Sequence, residues 1–232
     1  MTARRVLIVM SVGAAVLLAA CGGSSSTSSS NPPPTAPATS STATATTTAS
    51  STSAAKTPPG PEGIPLEKGP DLAPAATTTQ GATVDGVQCE AQEQIVYHIH
   101  VHLQVYVNGQ PRTLPAAIGM VGPVSEPTPY GPFYGAQQCY YFLHTHATDG
   151  VIHIESPSVR VYTLGNFFDE WNQSLSGTRV AGDRGKVTAY ANDKPWTRDP
   201  WAIPLLPHES IQLDVGSPVA APHEISWAGT SL

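Results

Sequence analysis

A stretch of strict alternation, 97-YHIHVHLQVYVNG-109, decides the fold. Its odd positions are apolar or aromatic, and its first three even positions are His98, His100 and His102. A period of two residues predicts a β-strand with one face toward the core. The three histidines therefore share the opposite face, about 6.6 Å apart along the strand. Asn108-Gly109 predicts a type I′ turn into a returning strand.

A second histidine-rich stretch, 143-LHTHATDGVIHIE-155, predicts another hairpin, with its turn at Asp149-Gly150. A two-residue type I′ turn would place His146 opposite His153 and His144 opposite Glu155. All four polar side chains then share one face, and the other face carries Leu143, Ile152 and Ile154.

A different turn would change the chemistry of this hairpin. If Thr148-Asp149 formed a type I turn with a bulge at Gly150, the pairing would slip by one residue. A slip of one residue moves every side chain of a strand to the other face. His153 would then face away from His144 and His146. Ile152 and Ile154 would lie on the same face as those two histidines. The hydrophobic pattern favours the first register.

These histidine faces form the candidate functional site, since they hold six of the eight histidines in the chain. Imidazoles on neighbouring strands, about 4.5–5.5 Å apart at Cβ, can reach one ion through bonds of about 2.0–2.1 Å. Packed imidazoles repel one another when protonated, and a metal ion holds them neutral. The alternatives are a hydrogen-bonded polar core and a pH-sensing cluster. The predicted ligands are His98, His100, His102, His144, His146, His153 and Glu155.

The donor types restrict the choice of metal. Histidine and carboxylate without a free thiolate suit Zn, Cu(II), Ni or non-haem Fe. Met120 is the only methionine beyond the N-terminal apolar run, which argues against a thioether-rich Cu(I) site. The predicted cofactor is a divalent ion, Zn or Cu(II), and two groups of three histidines leave room for two ions.

The run of motifs HIHVHL, LHTH, IHIESP and YTLG-x-FFDEW resembles families of exported, histidine-rich bacterial lipoproteins of unknown function. The resemblance covers most of the chain from Tyr97 to Trp171. It implies export and no particular activity.

The N-terminus predicts export as well. Two arginines precede an apolar run that ends at Ala20, which is typical of a secretory signal peptide over residues 1–20. The ending Leu-Ala-Ala-Cys21 resembles a lipobox, which implies lipidation of Cys21 and cleavage before it. We therefore expect the protein in the cell envelope, lipid-anchored to the outer face of the membrane or in the periplasm.

Composition divides the rest of the chain. Residues 21–81 are rich in Ser, Thr, Ala and Pro and predict a disordered linker, because they offer little to bury. Residues 82–232 predict a single globular domain. Its seven basic and fourteen acidic residues give a formal charge of −7, which argues against a nucleic-acid partner. Cys89 and Cys139, the two cysteines besides Cys21, predict one disulfide in an oxidising compartment.

The remaining pattern completes the predicted fold. Thr163 is a good N-cap for a helix whose apolar stripe is Leu164, Phe167, Phe168, Trp171 and Leu175. Asp169 and Glu170 lie off that stripe and are expected to be solvated.

His208 and His223 each follow a proline and predict solvated loops. Many short strands with one helix predict an α+β, β-rich domain, in which antiparallel hairpins form a sheet or sandwich.

Three functions fit this pattern. The first is a membrane-tethered extracytoplasmic metal-binding protein. The second is a metal-dependent enzyme of the hydrolase or lyase type, in which three histidines hold the ion and Glu155 acts as general base. The third is a non-catalytic recognition domain whose histidines are structural.

Overall fold

A computed structural model of the chain describes residues 57–232. Strand makes up 41% of it, and the described part holds a single short α-helix, so the predicted α+β, β-rich fold is confirmed. The predicted signal peptide, Cys21 and the predicted linker up to residue 56 lie outside the described residues. Within residues 57–232, no helix is both long enough and apolar enough to cross a membrane.

The strands are short and numerous. In chain order they are β1 Cys89–Glu90, β2 Tyr97–Val107, β3 Gln110–Arg112, β4 Met120–Thr128, β5 Gly131–Tyr141, β6 Leu143–His144, β7 Val151–Ser156, β8 Leu175–Ser176, β9 Arg179–Val180, β10 Asp183–Arg184, β11 Val187–Ala191, β12 Lys194–Trp196 and β13 Glu209–Val215. The helix α1, Leu164–Glu170, follows β7. Two 3₁₀ turns lie at Ala75–Thr77 and Pro200–Ala202.

Three sheets arise from these strands. The main sheet has seven strands in the order β12-β11-β13-β2-β7-β6, with β3 also paired to β2. The other two have the orders β1-β5-β4 and β10-β9-β8. All pairings are antiparallel except that of β13 with β2, a parallel pair that the prediction of hairpins did not include.

Strand β2 lies inside the main sheet and follows the predicted alternation. Its odd residues Val101, Leu103 and Val105 are at most 2% exposed and belong to the hydrophobic core. Asn108 and Gly109 both have positive φ, at 51° and 73°, and join β2 to β3. The type I′ turn predicted from Asn-Gly is therefore consistent with the backbone.

The hairpin around Asp149-Gly150 differs from its prediction. His144 pairs with His153 and Leu143 with Ile154, so the two-residue turn is wrong, and residues 145–150 form a longer connection. Other segments form hydrogen bonds with the backbone of that connection. The Thr145 backbone bonds to Ala117 and Ile118, and the His146 carbonyl accepts from the Tyr134 amide. The register is shifted by two residues from the predicted one, and an even shift leaves each side chain on its predicted face.

The predicted disulfide is present. Cys89 in β1 is bonded to Cys139 in β5, with the two Cα atoms 5.4 Å apart. It closes a separation of 50 residues, for which chain entropy gives roughly 4 kcal/mol of stabilisation. The bond fixes β5 to the chain segment that leads into β2.

Residues 57–81, here called the N-terminal segment, pack onto the domain. Ile64 and Leu72 are 1% and 7% exposed, and the Glu67 amide donates to the Thr148 carbonyl. The expected boundary at Ala82 is therefore too late. Ile64 is the first large apolar side chain after a tract without any, so folding begins where the chain again has something to bury.

The helix begins as predicted and ends earlier. The Thr163 hydroxyl accepts from the Asn166 amide, and the Asn166 side chain returns to the Thr163 backbone, which forms a capping box. The predicted apolar stripe is buried, although Leu175 packs from β8 because the helix ends at Glu170.

The solvated position predicted for Glu170 is wrong. Its side chain is fully buried beside the backbone of Gly119, and neither carboxyl oxygen has a hydrogen-bond partner among the described residues. The chain just after the 3₁₀ turn at Ala75–Thr77 covers this side of the helix, where the Thr79 amide donates to the Glu170 carbonyl. Burial raises the pKa of Glu170 well above its ordinary value.

Replacing Glu170 with Gln should stabilise the fold at neutral pH. A raised folded-state pKa means that folding takes up a proton, so stability falls as the pH rises from the unfolded-state pKa toward the folded-state one. Each unit of difference costs about 1.4 kcal/mol once the pH exceeds both values. We expect E170Q to raise the free energy of unfolding at pH 7 by more than about 1 kcal/mol, with the gain shrinking toward pH 4.

Urea denaturation of both proteins between pH 4 and pH 8 measures this difference. Glu126 is exposed, so Glu126→Gln serves as the matched control and should leave the pH dependence unchanged. A constant offset between wild type and E170Q across this range would show that Glu170 does not titrate with folding.

Candidate metal centre

The pairing of β2, β7 and β6 brings the predicted ligands together. His100 lies opposite His153, and His153 lies opposite His144, so one row of imidazoles crosses three strands. His98 lies opposite Glu155 in the neighbouring pair. The ring centroids are 4.5 Å apart for His100 and His153 and 5.4 Å apart for His144 and His153.

This face is covered on its outer side rather than solvated. The exposed fractions of His144, His146, His153 and His100 are 0%, 4%, 5% and 7%. The β4–β5 hairpin covers one side, where the Phe133 ring stacks on His146. The N-terminal segment contributes a carboxylate on the other side, as described below. The imidazoles therefore lie in a polar interior, away from bulk water.

Two carbonyl groups of β5 fix the tautomers of His144 and His146. His144 Nδ1 lies 2.9 Å from the Tyr141 carbonyl oxygen, and His146 Nδ1 lies 2.6 Å from that of Tyr134. A carbonyl oxygen can only accept, so both Nδ1 atoms must donate a proton. In a neutral imidazole the other nitrogen, Nε2, then carries the free lone pair.

These two free lone pairs face each other. The Nε2 atoms of His144 and His146 are 3.1 Å apart, and neither carries a proton in the tautomer that the carbonyls require. Burial, followed by the neighbouring histidines, lowers the pKa of His144 well below its ordinary value. Burial and His153 lower the pKa of His146 to about 4. The lowered pKa values disfavour a proton shared between the two Nε2 atoms near pH 7, and a metal ion between them could take its place.

The spacing suits a metal ion. Two nitrogens bound to one tetrahedral zinc at 2.0–2.1 Å lie about 3.3 Å apart, close to the 3.1 Å between these Nε2 atoms. The carbonyl oxygens of Tyr141 and Tyr134, which accept from the Nδ1–H groups, are the outer partners that metal-binding imidazoles characteristically have.

His153 lies between two carboxylates. Its Nε2 is 2.6 Å from Glu62 Oε1, and its Nδ1 is 3.3 Å from Glu155 Oε1. Burial lowers the pKa of His153, but the hydrogen bonds and charges of Glu155 and Glu62 outweigh burial and raise it to about 9. Without metal, the raised pKa favours the imidazolium form of His153, and a metal bound there would replace its proton.

Two carboxylates of the centre were missing from the sequence prediction. Glu62 reaches it from the N-terminal segment, and Glu93 Oε1 lies 3.6 Å from His146 Nε2 and 4.0 Å from His144 Nε2. Both lie in irregular segments, where no periodicity shows the direction of a side chain. The one signal for Glu62 is that it is the first acidic residue of the chain, next to the first buried apolar residue, Ile64.

The donors form two groups, in each of which the ligand atoms lie within 4.8 Å of one another. One group contains His144, His146, His153 and Glu155, and the other contains His98, His100 and His153. These groups could hold a metal ion, and they include six of the seven predicted ligands.

His102 lies outside both groups. It pairs with Val151, where β7 begins, so no histidine lies opposite it. Burial and His223 lower its pKa to about 4, against a hydrogen bond to the Asp149 backbone. His208 and His223 are exposed, as predicted.

Comparison with known proteins finds no matching family model, no similar curated protein and no similar solved structure. The resemblance to exported histidine-rich lipoproteins stays a prediction, and the function has to be argued from the site.

The tautomers of His144 and His146 can be tested without metal. Because each Nδ1 donates to a carbonyl, we expect unprotonated Nε2 nitrogens in both rings at pH 7.5. Long-range ¹H–¹⁵N spectra of the ¹⁵N-labelled, metal-free protein distinguish the two forms. Exposed His223 provides the reference for an unconstrained imidazole. An Nε2–H tautomer in either ring would remove the facing lone pairs.

Proposed function

We propose that this chain is a metal-binding protein that holds a divalent ion at His144, His146, His153 and Glu155. The observation that carries the proposal is the 3.1 Å approach of two buried Nε2 atoms whose rings each place Nδ1 against a carbonyl oxygen. Such an approach leaves two lone pairs in contact, which is unfavourable without a cation between them. A hydrogen-bonded polar core would instead place a donor against each acceptor.

The donors support Zn or Cu(II) as the ion. Three imidazoles and one carboxylate match the preferences of both metals. Cys89 and Cys139 are bonded to each other, so neither supplies a thiolate. The buried carboxylates also offset the charge of a divalent ion in a site that is nearly closed to water.

The burial of these ligands favours metal storage or transfer over catalysis. A groove between the N-terminal segment and the C-terminal tail is lined by Glu62, but by none of the site histidines. A metal-dependent enzyme needs an open coordination position that a substrate can reach. In that alternative function Glu155 would be the general base. Its Oε1 already contacts His98 and His153, which fits a ligand or orienting group better.

The proposed location is the outer face of the membrane, where a lipid on Cys21 would hold the domain at the cell surface or in the periplasm. The signal-like N-terminus and the ending Leu-Ala-Ala-Cys support this location. The Cys89–Cys139 disulfide supports it too, because such bonds persist in oxidising compartments. The proposed metal site and the proposed location together suit a protein that captures or delivers a metal in the cell envelope.

Replacing His146 with Ala should weaken metal binding by at least tenfold, because it removes one of the two facing nitrogens. Competition titrations with Zn²⁺ and Cu²⁺ against a chromophoric chelator give the affinities. His223→Ala is the matched control, since His223 is exposed and belongs to neither donor group. Circular dichroism of each variant checks the fold.

Two results would contradict the proposed function. One is wild-type protein that shows no measurable binding of either ion in these titrations. The other is unchanged affinity in a His144→Ala, His146→Ala double variant that still folds.

Replacing Cys21 with Ser should release the protein from the membrane. Lipidation needs the cysteine thiol, so the variant should move from the detergent-extracted membrane fraction to the soluble envelope fraction. Immunoblots of fractionated cells measure the distribution, with C89S/C139S as a control for loss of cysteine alone. Recovery of the wild-type protein in the soluble envelope fraction without detergent would rule out the lipid anchor.

A further inference from the structure

His98 and His100 belong to the second donor group and are not needed for the ion proposed above. Their rings lie 4.6 Å apart at the centroids, and the His100 ring lies 4.5 Å from that of His153. Both lie on β2, whereas His144, His146 and His153 lie on β6, β7 and the connection between them. The histidine cluster therefore continues onto β2, beyond the four ligands proposed for the first ion.

His100 is the strongest sign of a second ligand site. It is 7% exposed, and its Nε2 atom is buried without a hydrogen-bond partner among residues 57–232. A buried polar nitrogen without a partner costs about 1–3 kcal/mol, and such groups are rare in native structures. A metal ion at Nε2 would satisfy it.

Glu155 connects the two groups. Its Oε1 lies 3.0 Å from His98 Nε2 and 3.3 Å from His153 Nδ1, so one oxygen already lies between them. Its Oε2 is buried and has no partner within the described part of the chain. A carboxylate with one oxygen at each of two ions is the usual bridge in sites whose metals lie about 3.5–4 Å apart.

We propose that the centre is binuclear, with a second divalent ion bound by His98 and His100 and bridged to the first ion by the Glu155 carboxylate. This inference rests on the proposed function. His153 stays with the first ion, because one neutral imidazole offers a single lone pair. The side chain of His98 is 40% exposed and forms the solvent edge of the second position.

The second position should take the same class of ion as the first. Two imidazoles and a bridging carboxylate oxygen suit Zn²⁺ and Cu²⁺. Water completes its coordination at the exposed edge beside His98. The second ion should therefore exchange faster and bind more weakly than the first.

Metal stoichiometry tests the proposal. Wild-type protein, loaded with excess Zn²⁺ and desalted, should contain two zinc atoms per chain by mass spectrometry of the metals. A His98→Ala, His100→Ala double variant should contain one. His208→Ala, His223→Ala removes two exposed histidines and should keep two zinc atoms.

The outcomes separate this inference from the proposed function. Wild-type protein that binds neither zinc nor copper after loading with each ion would contradict both. One zinc atom in the wild type, unchanged in the His98→Ala, His100→Ala variant, would overturn the second position and leave the first. Two zinc atoms in that variant would also overturn it.

Copper loading of the wild type provides a measurement that does not depend on a variant folding. Two Cu²⁺ ions bridged by one carboxylate couple magnetically. With two equivalents of copper, the integrated electron paramagnetic resonance signal should then correspond to less copper than the protein contains. With one equivalent, the signal should equal the copper content. A signal equal to the copper content at two equivalents would exclude a bridged pair.

Discussion

The antiparallel pairing of β2 with β7 is the constraint on which the site depends. It sets His100 opposite His153 and His98 opposite Glu155. The same pairing places Val101 opposite Ile152 on the other face, and both are fully buried. A slip of one residue would move these apolar side chains onto the histidine face and separate the ligands from one another. Burial of apolar surface, worth about 25 cal/mol per Å², thus fixes the ligand register.

The site also depends on strand β5, which belongs to a different sheet and orients two of the imidazoles. Both carbonyls that orient His144 and His146 come from it, at Tyr141 and Tyr134. Cys139 lies between them on the same strand and ties it to β1. The disulfide is therefore more than a general constraint on the unfolded chain. It holds the strand that decides which nitrogen of each imidazole is free.

The sequence predicted the faces better than the contacts. Alternation assigns a residue to a face, and the actual hairpin register differs from the predicted one by two, so His153 and Glu155 stayed on the correct side. Periodicity carries no such information in irregular segments, and Glu62 and Glu93 were missed for that reason. The prediction for Glu170 failed for a different reason. The helical stripe correctly placed its side chain off the apolar face, but the chain after the 3₁₀ turn at Ala75–Thr77 covers that side of the helix.

The charges of the buried site explain why a cation should be present there at all times. The carboxylates of Glu62 and Glu155 flank His153, and without metal the imidazolium of His153 is their counter-charge. A divalent ion bound as proposed would replace that proton and balance both carboxylates. Leaving two carboxylates buried with neither partner would cost several kcal/mol. Metal binding would therefore exchange one cation, the proton of His153, for another. In the proposed function, the ion would supply the positive charge that the side chains of β2, β6 and β7 leave unbalanced.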